Sequence, residues 1–407
     1  MFARTPVSHR LTIGRGVWVA LLVGLQLALS HAPAIAQEPS APQALAQDQF
    51  EAAIGKLGDL DYATRTAASR TIRRTPGDQA VPLLLHVVAE HADGYVRYRA
   101  LVLLTGFNDP RTRNAMVDAL SSPNDRLRTV AYSFFEHNPD PRLTTRLLAA
   151  LETEVAEFVR PALVRALTAL AEGVAAVRPV LVREAGRGED FFRSAVIEAL
   201  GDYKAVYAVD FLLAIAERDG PLLDDATMAL GKIGDPRARP ALDELLRSGP
   251  STVRPTVIAA ICIMGPECAS QEGDLVGAIR LAEQNGGLQD ARRRAAYGLG
   301  AIGAAGRSSA VDALFGVGLG SYGPTRAPVS LALATVALRN SPVILEVLEA
   351  HAHQAEAIEL LAEGFDMLEE DLEKERFFAM VRRAYWAASE ASSRRELMRT
   401  LIGRLDF

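Results

Sequence analysis

Downstream of residue 48, apolar side chains return at spacings of three and four, the period of a helix with one buried face, and no run of alternating strand-forming residues interrupts them. The pattern also recurs on a longer scale. Nine segments align, among them "DGYVRYRALVLL", "AEFVRPALVRAL", "EDFFRSAVIEAL" and "LQDARRRAAYGL". Their fifth column holds Arg65, Arg97, Arg128, Arg160, Arg193, Leu223, Arg254, Arg292 and Arg326, spaced 30 to 38 residues apart. Three residues after that column stands a small or branched side chain, as in Ala68, Ala100, Ala131 and Val196. Seven after it stands a large apolar one, as in Ile72, Leu104, Phe135, Leu200 and Leu333. Three plus four places both on one helix face. Six after the column, alanine or glycine recurs at Ala166, Ala199, Ala229, Ala260, Gly298 and Ala332, where two helices must approach closely.

The starts of these helices are marked as well. Asp61, Asp93, Asn124, Glu189 and Asp219 precede the column by four residues, where an oxygen accepts from the free N–H groups of a first turn. Pro161, Pro255 and Pro328 fall just inside the helix start, where a missing N–H is tolerated. A second amphipathic series lies between, including "AVPLLLHVVAEH" and "ARPALDELLRS", each followed by a polar or glycine-containing turn. The unit is therefore a helix pair, and the chain is predicted to be all-α: an α-solenoid, a right-handed superhelix of stacked pairs. Nine units fill residues 48–340, and a divergent tenth occupies 341–363. From 364 to 407 the pattern changes to "FDMLEEDLEKERFFAMVRRAYWAASEASSRRELMRTLIGRL", acidic at first and then aromatic and arginine-rich. These helices are expected to cap the open end of the stack, with a partner-docking helix as the alternative.

The stretch "ALGKIGDPRARPALDELL" (229–246), repeated loosely as "LVLLTGFNDPRTRNAMVDAL" and "YSFFEHNPDPRLTTRLLAAL", resembles the HEAT-like repeats of the phycobilisome-lyase type. Leu-Gly stands before the turn, Asp-Pro in it and an apolar helix after it. Gly234 is expected to be the left-handed helix stop and Gly231 a point of close packing. Lys232 is not followed by the serine or threonine of a phosphate loop. The resemblance implies a binding superhelix and, in some relatives, bilin attachment; no residue set here carries over as a lyase site. The eighth and ninth units depart from the pattern with the turns "EQNGGLQD" and "GVGLGSYGP", which are expected to bend the array.

Composition changes the picture mainly at the N-terminus. Residues 1–36 hold Arg4, Arg10 and Arg15 without an acid, then the fourteen-residue apolar run "VWVALLVGLQLALS", then small residues at Ala34 and Ala36. This reads as a secretory signal peptide cut after Ala36, since about twenty apolar residues are needed to span a bilayer. Residues 37–47 then form a flexible linker, and the mature chain is expected in the periplasm or outside the cell, with no transmembrane segment. Removing three arginines takes the net charge from −6 to −9, which disfavours nucleic acid as a partner.

Candidate chemistry is sparse. The arginine column reads either as a basic ladder for an anionic ligand or as a structural ladder, each arginine bonding a neighbouring turn or its own capping acid. His351 and His353 diverge on a helix and make no metal site. Cys262 and Cys268 either close a short disulfide loop in an oxidising compartment or stay as buried thiols. No catalytic or cofactor motif is present, so no catalytic residue, cofactor or metal ligand is assigned. Positions one and five after the column point away from the core face and are the expected partner-binding residues: Arg70, Tyr98, Arg165, Glu198, Met228, Arg293 and Tyr297. The sequence thus points to a noncatalytic protein-interaction scaffold of the bacterial envelope. The alternative is a lyase-like or chaperone-like protein that holds a prosthetic group or a client.

Overall fold

The computed structural model describes residues 41–407 apart from 266–267, 286–287 and 369–370. The expected signal peptide and its cleavage point lie outside the described residues. Those described belong to one unit, Pro39–Phe407, and form helices without a strand among them. In chain order these are α1 (Gln47–Lys56), α2 (Tyr62–Arg73), α3 (Gly77–Glu90), α4 (Gly94–Thr105), α5 (Arg111–Ala119), α6 (Asp125–His137) and α7 (Thr144–Thr153). There follow α8 (Arg160–Leu170), α9 (Arg178–Ala185), α10 (Asp190–Asp202), α11 (Val209–Ala216), α12 (Leu223–Ile233), α13 (Arg239–Ser248) and α14 (Arg254–Met264). The rest are α15 (Ala269–Gln284), α16 (Gln289–Ala304), α17 (Ser308–Gly318), α18 (Arg326–Arg339), α19 (Ser341–Ala350), α20 (Gln354–Met367), α21 (Asp371–Ala387) and α22 (Ser393–Leu405).

The even-numbered helices from α2 to α18 carry the arginine column. From α4 to α20 each packs on the next even-numbered one, making the inner row of an all-α solenoid, while the odd-numbered helices form the outer row. Small side chains set the distance within the inner row. A Cβ built on Gly201 would lie 2.7 Å from the Cα of Ala229, one on Gly231 would lie 2.4 Å from the Cα of Ala260, and one on Gly300 would lie 3.1 Å from the Cβ of Ala332. Each contact joins the eighth position after the column to the sixth position of the next unit, so the short alanine and glycine columns form one continuous seam. Gly234 has φ +75°, the left-handed stop its turn requires.

The arginine ladder is structural. Arg97 donates to the carbonyl of Val88 (2.7 Å), Arg193 to Ala185 (3.2 Å), Arg254 to Leu246 (3.2 Å) and Arg326 to Gly318 (3.2 Å). Each thereby satisfies a carbonyl in the last turns of the preceding outer helix, which no intrahelical N–H can reach. Pairing with the capping acid four residues earlier is not seen. Asp61 and Asp93 spend their carboxylates on the N–H groups of Thr64 and Tyr95. Arg193 pairs instead with Asp190, three residues earlier (2.9 Å), and other acids that pair with the ladder come from farther along, Glu154 with Arg128 (2.7 Å) and Glu363 with Arg326 (2.8 Å). Glu189 makes no cap bond, and Asp219 stands outside a helix that starts at Leu223. Asp93→Ala is expected to cost about 1 kcal/mol, because Tyr95 N–H loses its acceptor; urea denaturation of the variant checks this.

Residues within the expected linker are docked. Gln43 N–H donates to the carbonyl of Arg74 (2.9 Å), and the backbone of Leu45 exchanges hydrogen bonds with the Gln79 side chain. At the other end α22 packs on α20 and α19, as a cap should, while α21 leaves the stack and packs on α4, α6 and α18. Leu372 joins the hydrophobic cluster of the N-terminal units, whereas Phe377, Val381 and Tyr385 of the same helix join the C-terminal cluster. The array is thus closed on itself by α21, its penultimate helix.

Candidate functional site: the inner row and the exposed edge

The closure by α21 rests on polar contacts between residues far apart in sequence. Arg73 binds Glu375 with both partners almost fully buried (2.7 Å), and Arg73 also lies over the Phe378 ring. Arg99 and Tyr98 both reach Asp371, Arg99 at 2.9 Å. Burial, and then the Asp371 charge, push the Tyr98 phenol well above its ordinary value. His137 contacts Glu373 at 2.5 Å, and Arg376 holds the other carboxylate oxygen at 2.7 Å. Burial opposes the Glu373 charge, but the His137 hydrogen bond and charge, with Arg376, outweigh it and bring the carboxyl from 4.5 to about 2.

This last shift sets a pH dependence. The folded value lies below the unfolded one, so the contribution is complete above pH 4.5 and disappears as pH falls toward 2. Its size is about 3 kcal/mol. Wild-type protein is expected to lose that much more stability than Glu373→Gln across the window, as measured by denaturant titration at both ends.

A second polar network runs along the inner row. Arg165 on α8 binds Glu136 on α6 (2.8 Å) and Asp202 on α10 (2.9 Å). Asp202 also binds Lys232 on α12 (2.7 Å), and Tyr203 donates to Glu136 (2.9 Å). Burial works against the Arg165 charge, yet Glu136 and Asp202 more than offset it and raise its pKa. Burial likewise opposes Asp202, and Lys232 and Arg165 bring it down. These pairs fix neighbouring helices to one another. Arg294 on α16 also reaches past α14 to Asp224 on α12 (2.6 Å), so the inner face is narrow at the eighth unit, where a bend was expected. Residues 286–287 of that unit's turn lie outside the described ones.

The seven expected partner-binding residues therefore have different fates. Arg70 pairs with Asp406, Tyr98 is engaged by α21, and Arg165 is consumed in the inner network. Met228 is buried, in the C-terminal hydrophobic cluster with Ile258 and Ala259. It lies on the narrowed stretch of the inner face and offers no surface to a partner. Glu198 and Tyr297 are exposed beside Lys232. Arg293 is exposed and holds only Asp290, three residues away on its own helix. The inner row does not assemble them into one surface.

Cys262 and Cys268 are joined as a disulfide with their Cα atoms 5.0 Å apart. The buried Glu272 lies beside them, making this the one group of three potential metal ligands among the described residues, but both sulfurs are committed to each other.

What the sequence pattern missed is a strip of exposed apolar side chains. Leu60, Tyr62, Val155, Phe158, Phe191, Leu288 and Tyr322 are all exposed, and all fall two to five residues before the arginine column. They occupy the turns that lead into inner helices or, for Tyr62 and Phe191, the first turn of the helix itself, in the first, fourth, fifth, eighth and ninth units. Phe158 is 82% exposed and Phe191 52%, yet their rings meet edge to face with centroids 6.4 Å apart. The signal was in the sequence: apolar residues stand in cap turns, where polar ones are favoured.

The family model for HEAT repeats matches residues 81–168 and 192–262. No curated protein sequence matches the chain. Among solved structures, the CpcE–CpcF complex of phycocyanin lyase from Nostoc sp. is 22% identical with a TM-score of 0.40, over 64% of this chain and 97% of that one. Yeast importin-beta is 11% identical with a TM-score of 0.38, over 88% of this chain and 61% of its own. An engineered protein is 16% identical with a TM-score of 0.29, over 88% and 98%. No single helix among the described residues is long and apolar enough to cross a membrane. With two blocks of matched repeats, a helix pair in every unit and a ladder of arginines tying the pairs together, the chain is a HEAT-like repeat protein.

Proposed function

We propose that the protein is an exported, noncatalytic scaffold that binds a protein partner along the edge bearing Phe158 and Phe191. The observation that carries the reading is that strip of apolar side chains. Large exposed apolar groups recurring at the starts of inner helices lose water only against another surface, and aromatic side chains are the types enriched at the centres of protein interfaces. The inner row supports the same reading from the other side, because its charges are largely spent on holding helices together. Export rests on the basic, then apolar, then small-residue pattern of residues 1–36 and on a paired set of cysteines, a chemistry suited to an oxidising compartment. The named function of the phycocyanin-lyase neighbour belongs to that protein.

The test is crosslinking and affinity capture from intact periplasm with the tagged protein, beside a Phe158→Ser/Phe191→Ser variant. A specific partner captured at least tenfold less by the variant is the expected result. Equal capture by both forms, or recovery of general chaperones alone, overturns the reading. Arg165 is unsuited to such a test, since reversing its charge would strand Glu136 and Asp202.

A further inference from the structure

Arg97 and Arg254 of the inner row are spent on backbone carbonyls, whereas two adjacent arginines of α21 border open space. Two open cavities, of about 670 and 580 Å³, lie side by side between α21 and the turn at Gly106–Pro110, and they share Asn108, Ala379 and Arg383 as lining. Neither Arg382 nor Arg383 pairs with a carboxylate among the described residues. Arg382 donates to the carbonyl of Arg73 (2.6 Å), and the nearby Glu375 is already spent on Arg73. Burial first, and then the charges of Arg73, Arg74 and Arg383, depress the Arg382 guanidinium despite Glu375, and Arg74 is depressed by burial and by neighbouring arginines as well. The site carries uncompensated positive charge that a bound anion would relieve. Trp386, 46% exposed, and Phe107 line the same cavity as the two arginines.

We propose that this cleft binds an extended acidic peptide segment of a partner protein, its carboxylates taken by Arg382 and Arg383 and an apolar or aromatic residue laid against Trp386 and Phe107. The shape favours a peptide over a compact anion. The two cavities meet at Asn108, Ala379 and Arg383, and the larger continues along α21 to Arg376, about 10 Å from Arg383 by the helix rise; Arg376 itself is held by Glu373, so Arg382 and Arg383 sit at one end of an elongated cleft. Guanidinium groups suit carboxylates because their paired N–H donors match two oxygens at once, and an aromatic beside them adds contact without a charge to desolvate. The site is separate from the edge of Phe158 and Phe191, so a partner could engage one, the other or both.

The experiment is fluorescence anisotropy of the purified protein with a labelled decapeptide of glutamate and aspartate around one phenylalanine. Its Gln/Asn counterpart serves as the neutral control and citrate as the small polyanion. Salt-sensitive binding of the acidic peptide is expected, with the neutral peptide at least tenfold weaker. Arg382→Gln/Arg383→Gln should weaken binding at least tenfold, and Arg239→Gln/Arg247→Gln, on the outer row, should not. Because Arg382 is half-buried, Arg383→Gln alone provides a variant that disturbs no internal contact, and it should lose binding at least threefold with an unchanged melting curve. Equal binding of the neutral peptide, full binding by the arginine variants, or binding of citrate without the peptide would each overturn the proposal. Phe158→Ser/Phe191→Ser should leave peptide binding intact, so failure of the edge and failure of the cleft are told apart.

Discussion

Glu375→Leu is expected to destabilise the protein by about 3–5 kcal/mol, the usual result of removing one member of a buried ion pair. The Arg73 and Glu375 side chains are 7% and 1% exposed, so water cannot replace the lost carboxylate. The remaining charge would also sit among like charges, since Arg74 and Arg382 surround Arg73 and are already disfavoured there. The loss should be concentrated where α21 meets α2, α4 and α6, because Leu372 is the one α21 residue in the N-terminal hydrophobic cluster. Hydrogen exchange should therefore accelerate in residues 371–378 before it does in α12 or α14. Arg73→Met/Glu375→Leu should recover most of the stability, because it leaves no stranded charge and places two apolar side chains in contact. If Glu375→Leu unfolds at the wild-type urea concentration, the closure does not depend on this pair.

That closure is also where the sequence was least informative. The repeat period, the inward alanine and glycine columns, the left-handed Gly234 and the caps at Asp61 and Asp93 are local relations, and each follows from helix geometry within some forty residues. The ladder arginines were legible as structural, but their acceptors were not all foreseen: carbonyls in the last turns of the preceding helix take the place of the capping acid. The pairing of Arg73 with Glu375 joins residues 302 apart in sequence, and no periodicity connects an acidic run at the C-terminus to a particular inner helix. The same limit explains Met228 and Tyr98. Both occupy positions that face outward on a single helix, but curvature buries the first and the returning α21 engages the second. Phe158 and Phe191 were open to detection, because they break the polar rule of a cap turn.

Gly364→Ala should be the most damaging of the small substitutions. A Cβ at residue 364 would lie 2.0 Å from the carbonyl oxygen of Ser330 and 2.6 Å from its carbonyl carbon. Those are backbone atoms of α18, and no rotamer change can move them. Relief requires α20 to withdraw from α18, which α16 and α21 hold from other sides. The cost is expected to be about 3 kcal/mol, the upper end for inserting a methyl into a packed core. Gly316→Ala provides the opposing case. It lies within α17 with nothing inside 4 Å of the added carbon, so the helix gains about 0.5–1 kcal/mol from the lower backbone entropy of alanine. One chemical change thus carries opposite signs at two helical glycines, separated only by what faces them. Urea unfolding of both variants, with hydrogen exchange to place the loss in α18 and α20, checks the pair. A Gly364→Ala protein as stable as Gly316→Ala would mean that the inner helices can spread apart cheaply, and the small-residue seam would then not be what sets their spacing.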